Sequence, residues 1–289
     1  NSLPSGDIEF DQKDIIVTIR PISIKGQFKL KSMASDKFPE FTSSENVPYF
    51  DIPAEDFKNM ITQTIFALSD DESRLNMNGV FFEKNEDNLN MVSTDGRRLA
   101  YISKPLCQGV NSFPSATVPP KILNIILKRA PSEGFVSVSI VEKMIFIKFG
   151  SYKFTSVLID GMFPNYRRVI PESQTYNFQV EKADLQNALK RVGLLVDKKS
   201  PRIYLEVSPG KLTITSQETE IGTAKEEIPC RYDGEEIVIA VNYVHIDEPL
   251  KVMNSEKLTF EFTGNLKAIT LRPEPAEDYF HIIMPMQME

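Results

Sequence analysis

What most constrains this chain is an internal repetition of long period. Phe50-Asp51-Ile52 followed by Asp56, Phe57, Met60, Ile61, Thr64 and Leu68 is matched by Phe178-Gln179-Val180 followed by Asp184, Leu185, Ala188, Leu189, Val192 and Val196, at a constant offset of 128 residues. In both copies a short alternating strand leads into a helix with apolar residues at helical spacing. A second pairing supports the first: Phe28, Leu30 and Phe38-Pro39 echo Phe154, Val157, Leu158 and Phe163-Pro164. A period this long belongs to duplicated domains rather than a short-repeat solenoid. The chain therefore divides into a partial unit over residues 1–45, a full unit over 46–173 and another over 174–289.

Each full unit is expected to carry two helices, at 53–69 and 119–131, then at 181–197 and 242–254. Between them run strand signals: Gly79 to Phe82, Leu89 to Ser93, Phe135 to Phe149, Ile203 to Val207, Lys211 to Thr215 and Ile237 to Val241. Alternation and short turns such as Ser208-Pro209-Gly210 favour antiparallel pairing. The fold class is α+β, with sheets covered by helices on one face. No apolar run reaches the ~18 residues of a membrane span, and the two cysteines, Cys107 and Cys230, have no CxxC spacing. Both read as free thiols in a reducing cytoplasm. The first residue is Asn1 and the opening reads like the middle of a domain, so the start of the natural chain is expected to be absent.

The end of the chain is apolar: Tyr279-Phe280-His281-Ile282-Ile283-Met284-Pro285-Met286-Gln287-Met288-Glu289. Such a tail is either a strand of the last sheet or the wall of a binding groove. Methionine suits the second role, since its unbranched, polarizable side chain adapts to different partners.

Net charge is −7, which argues against a protein that grips nucleic acid by bulk electrostatics. Charge is nevertheless segregated. On the helix from Glu181, Leu185, Ala188, Leu189, Val192 and Val196 form the apolar stripe, leaving Lys190, Arg191 and Leu194 on the far side. Leu194 beside Leu195 makes an apolar pair suited to a subunit contact. Lys121 and Lys128 lie seven residues apart on one side of the helix from Pro119, and Lys198, Lys199 and Arg202 extend the basic group. Acidic residues gather elsewhere, at Asp70-Asp71-Glu72, Glu226-Glu227, Asp233 to Glu236 and Glu274 to Asp278. A basic helical face on an acidic body meets phosphates weakly while the remainder repels them.

Catalytic signals are sparse. His245 and His281 are the two histidines, in unrelated motifs without metal-ligand spacing, and neither GxxxxGK[ST] nor GxGxxG occurs. Neither a metal site, nor a cofactor, nor a catalytic residue is assigned, and Asp70-Asp71 reads as a solvated helix end. Each arginine string, Arg97-Arg98 after Asp95-Gly96 and Arg167-Arg168 after Pro164, reads on its own as a turn with solvated charges.

Three strings converge nonetheless: Ser93-Thr94-Asp95-Gly96-Arg97-Arg98-Leu99-Ala100, Asp160-Gly161-Met162-Phe163-Pro164-Asn165-Tyr166-Arg167-Arg168-Val169-Ile170-Pro171, and Met284-Pro285-Met286. Together, and in this order across the whole chain, they resemble the bacterial sliding clamp, the beta subunit of the replicative DNA polymerase III. The resemblance implies repeated DNA-clamp domains with antiparallel sheets outside and helices lining the inner face of a ring. On that basis residues 1–45 are the remnant of clamp domain 1, 46–173 clamp domain 2 and 174–289 clamp domain 3. It also implies, for the full-length form, a homodimer whose closing contact sets Phe28 and Leu30 against Leu194 and Leu195, and a hole facing DNA with Lys121, Lys128, Lys190, Arg191, Lys198 and Lys199.

The family's partner-binding pocket, between the second and third domains, accepts short linear motifs from the polymerase catalytic subunit, the clamp loader and repair proteins. The matching positions are Met77, Thr94, Gly96, Arg97, Arg98, Leu99, Pro164, Arg168, Val169, Asn242, His245, Leu266, Ile282, Ile283, Met284, Pro285, Met286 and Gln287. Such a site is an apolar groove for a peptide's anchors with a polar margin that orients the backbone. The chain departs from many relatives at His245, where tyrosine is usual, and at Gln287, where a basic residue is. The expected function is therefore a non-catalytic, cytoplasmic processivity subunit that encircles duplex DNA without reading its sequence. Rival readings are a peptide-binding scaffold without a DNA role and an enzyme acting on nucleotides.

Overall fold

The structure, a computed structural model, describes residues 3, 5–33, 36, 38, 44, 46–107, 110 and 112–288. Pro39 of the expected Phe-Pro turn, and the terminal Asn1 and Glu289, lie outside the described residues. The chain forms two compact units, Asn1–Glu45 and Asn46–Glu289. The first holds an antiparallel meander, β1 (Ile8–Lys13), β2 (Ile16–Pro21) and β3 (Phe28–Lys31), in that order. Phe10, Ile16, Phe28 and Leu30 are exposed on it.

The second unit contains the strand-helix segments whose sequences repeat. Its first half runs β4 (Phe50–Pro53), α1 (Ala54–Thr62), β5 (Val80–Asn85), β6 (Asn88–Thr94), β7 (Arg98–Pro105), β8 (Ala116–Val118), α2 (Pro120–Arg129), β9 (Phe135–Val141), β10 (Met144–Phe149) and β11 (Tyr152–Val157). Its second half runs β12 (Tyr176–Glu181), α3 (Lys182–Val192), β13 (Arg202–Ser208), β14 (Lys211–Ser216), β15 (Lys225–Pro229), β16 (Ile237–Asn242), α4 (Tyr243–Val252), β17 (Lys257–Phe262), β18 (Ile269–Glu274) and β19 (Tyr279–Ile283).

The pairing order is the same in both halves. In the first, β8-β5-β6-β7 and β4-β9-β10-β11 are each hydrogen-bonded in sequence; in the second, β16-β13-β14-β15 and β12-β17-β18-β19 are. Every pair is antiparallel. This is an α+β fold built from a repeated module, in which α1 packs on α2 and α3 on α4. On α3, Leu185, Ala188, Leu189 and Val192 are buried at the spacing the sequence predicts. Full burial of each leucine contributes about 1.5–3 kcal/mol.

Two predicted helices are shorter than their periodicity. The first ends at Thr62, because the Thr64 hydroxyl bonds back to the Met60 carbonyl at 2.7 Å and the chain tightens into a 3-10 turn at Ile65–Ala67. The third gives way at Gly193 to a 3-10 turn over Gly193–Leu195. There α4 passes so close that a Cβ on Gly193 would stand 2.8 Å from the Tyr243 ring. Helix–helix contact, rather than propensity, sets that boundary.

One join merges the halves. β19 pairs with β7 in the register Tyr279↔Ile102, Phe280↔Tyr101, His281↔Ala100, Ile282↔Leu99 and Ile283↔Arg98, making one eight-stranded sheet, β12-β17-β18-β19-β7-β6-β5-β8. Strand alternation then sorts the side chains. Tyr279, His281, Ile283, Arg98 and Ile102 share one face, which is buried. On the other face Leu99 meets Ile282, and Tyr101 stacks on Phe280 with ring centres 4.7 Å apart.

Candidate functional site

The second face of the β7–β19 join carries a small apolar cluster of Val92, Leu99, Phe163, Tyr166, Phe280 and Ile282. Where the segment after β11 crosses this sheet it leaves a cleft of about 180 Å³. The cross-strand pair Leu99 and Ile282 lines it, together with Met77, Pro164, Val169 and Met284. Thr94, Gly96, Arg98, Asn165 and Tyr166 complete the lining.

The loop between β6 and β7 shapes one end. Asp95 Oδ1 accepts the backbone N–H of Arg97 at 2.8 Å and of Arg98 at 3.0 Å, and the Thr94 hydroxyl, which accepts from Gly96 N–H at 3.0 Å, donates to the Arg98 carbonyl at 2.6 Å. Gly96 turns there with φ of 87°, in the left-handed region that favours glycine. The tail closes the other wall. After β19, Met284 N–H bonds the Arg97 carbonyl at 2.9 Å and Met286 N–H bonds the Ala240 carbonyl on β16 at 2.7 Å. The tail is therefore both things the sequence allowed: a buried strand to Ile283, then residues that wall a cleft.

Beneath the cleft, Arg98 is almost fully buried and every arm of its guanidinium is engaged. Nε donates to Asp95 Oδ2 at 3.0 Å, Nη2 to the Phe66 carbonyl at 2.7 Å, and Nη1 to Glu248 on α4. His245, in the first turn of α4, is buried with Nε2 4.0 Å from Asp95 Oδ2. Burial and the nearby Arg98 charge lower its pKa to about 4, against the opposing pull of Asp95. His281 is wholly buried and is held neutral for the same two reasons. Pro249 cannot donate to the His245 carbonyl one turn back, and neither ring nitrogen of His281 has a hydrogen-bond partner among the described residues.

Of the eighteen positions that the resemblance assigns to a pocket, nine line this cleft: Met77, Thr94, Gly96, Arg98, Leu99, Pro164, Val169, Ile282 and Met284. The others are placed differently. Ile283 points into the main core because strand parity turns it away from Ile282. Asn242 caps α4, its side chain accepting Val244 N–H at 2.8 Å, and His245 lies behind Asp95. Arg97, Arg168, Leu266 and Gln287 are exposed, while Pro285 and Met286 are half-buried. The residues that sequence reading left unassigned are Asn165 and Tyr166, although both stand inside the Phe163-Pro164-Asn165-Tyr166 string. Tyr166 Oη donates to Glu83 Oε2 at 2.7 Å, and burial together with that carboxylate raises its pKa, so the phenol stays protonated.

Lys121, Lys128, Lys190, Lys198 and Lys199 are exposed and form no salt bridge among the described residues. Arg191 differs: its Nε bonds both Glu226 carboxylate oxygens, at 3.1 and 2.9 Å, and its charge is largely matched. Phe28, Leu30 and Leu194 are exposed and Leu195 is half-buried. No helix among the described residues is long and apolar enough to cross a membrane, and both cysteines are free.

Comparison with known proteins agrees across the chain. Residues 51–165 match the central domain of the DNA polymerase III beta subunit and residues 167–287 its C-terminal domain. The beta sliding clamp of Treponema pallidum is 45% identical over 293 residues, spanning 100% of this chain and 79% of that protein. A DNA polymerase sliding clamp structure from Bacillus subtilis superposes with a TM-score of 0.93 at 26% identity, covering 100% of this chain and 77% of that one. A Pseudomonas aeruginosa sliding clamp bound to griselimycin gives 0.90 at 26% identity, with 99% and 78% covered.

Proposed function

The chain belongs to the bacterial sliding clamp family, the DNA polymerase III beta subunit, and on that premise we propose that its partners dock by short tails in the cleft over the β7–β19 join. As a clamp it is a non-catalytic processivity subunit of the polymerase in DNA replication. The observation that carries the docking reading is the pairing of Leu99 with Ile282 under Met284, an open apolar cleft bounded by backbone whose own hydrogen bonds are met. The apolar lining suits the hydrophobic anchors of a tail, and the exposed Arg97, Arg168 and Gln287 supply the polar margin. The engaged guanidinium of Arg98 supports the wall rather than meeting the ligand. The griselimycin complex of the related P. aeruginosa clamp supports a ligand site in this family.

A ring follows from the same join repeated between copies. β15 stands in its half where β7 stands in the other, and β3 ends its meander as β19 and β11 end theirs. Both β15 and β3 are outer strands of their sheets. Pairing β15 of one copy with β3 of a second repeats the β7–β19 contact, and it would bring the exposed Leu194 toward Phe28 and Leu30 of the partner copy. In the resulting homodimer, modules 46–173 and 174–289 turn α1 to α4 toward the duplex. The exposed lysines then centre DNA without gripping it, since few phosphate contacts give a shallow profile for sliding. The protein acts in the cytoplasm, where replication takes place.

Two measurements test this. The assembled protein loaded on nicked circular DNA is expected to stay bound until the circle is linearised; equal retention on linear DNA would leave a scaffold without topological hold. Griselimycin and the tail peptide of the cognate polymerase are expected to compete for one site, and simultaneous binding of both would place the tail elsewhere.

A further inference from the structure

Beyond the Tyr166–Val169 turn lies a second hollow, of about 370 Å³, and Tyr166 lines both it and the cleft. Three rings form its wall: Tyr101 and Phe280, stacked across the β7–β19 join, and Tyr166, whose centre lies 6.1 Å from that of Tyr101. Asn90 adds a buried amide held by Ser103, whose hydroxyl donates to its Oδ1 at 2.8 Å.

The charges are not balanced. Arg167 lines the hollow, but both its terminal nitrogens bond Glu83, at 3.1 and 2.7 Å, which uses up its charge. Glu172, also lining the hollow, and Asp278, whose backbone carbonyl accepts the N–H of Ser103 at 2.9 Å next to Asn90, are exposed and form no salt bridge among the described residues. What remains is two carboxylates beside aromatic walls. Those rings already accept guanidinium groups, Arg272 lying 4.8 Å from the Phe280 centre and Arg167 5.0 Å from that of Tyr166.

We infer that this hollow takes an arginine from the stretch of a partner tail flanking the residues held in the cleft. The inference rests on the docking reading above and extends it to specificity. A flat guanidinium stacks on a ring and bonds a carboxylate at once, which the compact lysine ammonium does less well. Tyr166 lines both the cleft and the hollow, so the two adjoin, and three to six extended residues reach about 10–20 Å.

The test uses tail peptides of the cognate polymerase with one core sequence and arginine, alanine or glutamate placed three to six residues beyond it, on either side. The arginine peptide is expected to bind about five- to tenfold more tightly than the alanine peptide and the glutamate peptide more weakly, with the gain fading in high salt. In the Glu172→Gln, Asp278→Asn double variant the gain disappears while the alanine peptide binds as before. Equal affinity of the arginine and alanine peptides for the unaltered protein overturns the inference, as does a gain that survives in the variant. Failure of the core peptide itself to bind overturns the docking reading and takes this inference with it.

Discussion

Arg98 on β7 and Glu248 on α4 are ion-paired across the join between the two repeated halves. The same guanidinium bonds Asp95 in the loop that shapes the cleft and the Phe66 carbonyl after α1, so one side chain ties three elements. A buried ion pair is weak evidence for net stability, but removing one partner strands the other charge. Arg98→Ala is expected to lower the unfolding free energy by about 2–4 kcal/mol, toward the lower end for a buried pair because Glu248 is one-third exposed. Arg98→Lys should recover part of this, since one ammonium cannot replace a three-way fork. Denaturant titration of the three proteins checks it; a loss below about 1 kcal/mol for the alanine variant would show that the tie contributes little.

The two histidines make this join acid-sensitive. Both have a folded-state pKa below the ordinary value of about 6.5, with His245 near 4. A depressed pKa means that the unfolded chain binds the proton more readily, so the stability is present above about pH 6.5 and is lost as pH falls toward 4. Each histidine contributes a slope of at most about 1.4 kcal/mol per pH unit in that window. Carboxylates elsewhere also titrate near its lower end, so the measurement is a difference. His245→Tyr with His281→Phe is expected to flatten the stability curve between pH 5 and 6.5, and an unchanged slope would acquit both residues.

The tail methionines should separate in their effects. Met284 lines the cleft, whereas Met286 lies half-buried where its backbone joins Ala240. Met284→Ala is expected to weaken tail-peptide binding about tenfold, the loss of most of one buried apolar contact. Met286→Ala should cost clearly less, and the double variant little more than Met284→Ala alone. Fluorescence titration with unchanged thermal unfolding would establish the split; the reverse order would move the ligand toward β16.

Much of this arrangement is legible along the chain, and the rest depends on contacts distant in sequence. The stripe Leu185, Ala188, Leu189, Val192 is visible because helical spacing is local, and the 128-residue offset reappears as identical strand order. The stops at Thr62 and Val192 are less visible, since the back-bonded Thr64 hydroxyl and the tyrosine ring beside Gly193 produce them. Resemblance brings together the two arginine strings and the methionine tail, yet it assigns Ile282 and Ile283 to the same site, and only the register against β7 separates them. Glu248 carries no signal of its own, because its partner is 150 residues away. Tyr166 stands inside the string that carries the resemblance yet is not among the positions assigned to the pocket, and here it is both core and wall.

The same contrast between free and matched charge sorts the proposed DNA face. Lys121 and Lys128 on α2 and Lys190 on α3 stand exposed without a salt bridge among the described residues, whereas Arg191, next to Lys190, is held by Glu226. Glu226 is held below the ordinary carboxylate range by that same bond, so the pair stays ionised at neutral pH and presents little net charge. If the lysines centre the duplex, charge reversal by Lys121→Glu and Lys128→Glu should shorten residence on linear DNA, from whose ends the ring slides off, and make it less dependent on salt, because fewer counterions are then released. Arg191→Gln removes a charge already matched and frees Glu226, so it should change residence less than Lys190→Gln does. Residence times of the loaded protein across a salt series decide the matter. An Arg191→Gln effect equal to or larger than that of Lys190→Gln would mean that the Arg191–Glu226 pair opens on DNA, and lysine variants without effect would remove these helices from the duplex-facing surface.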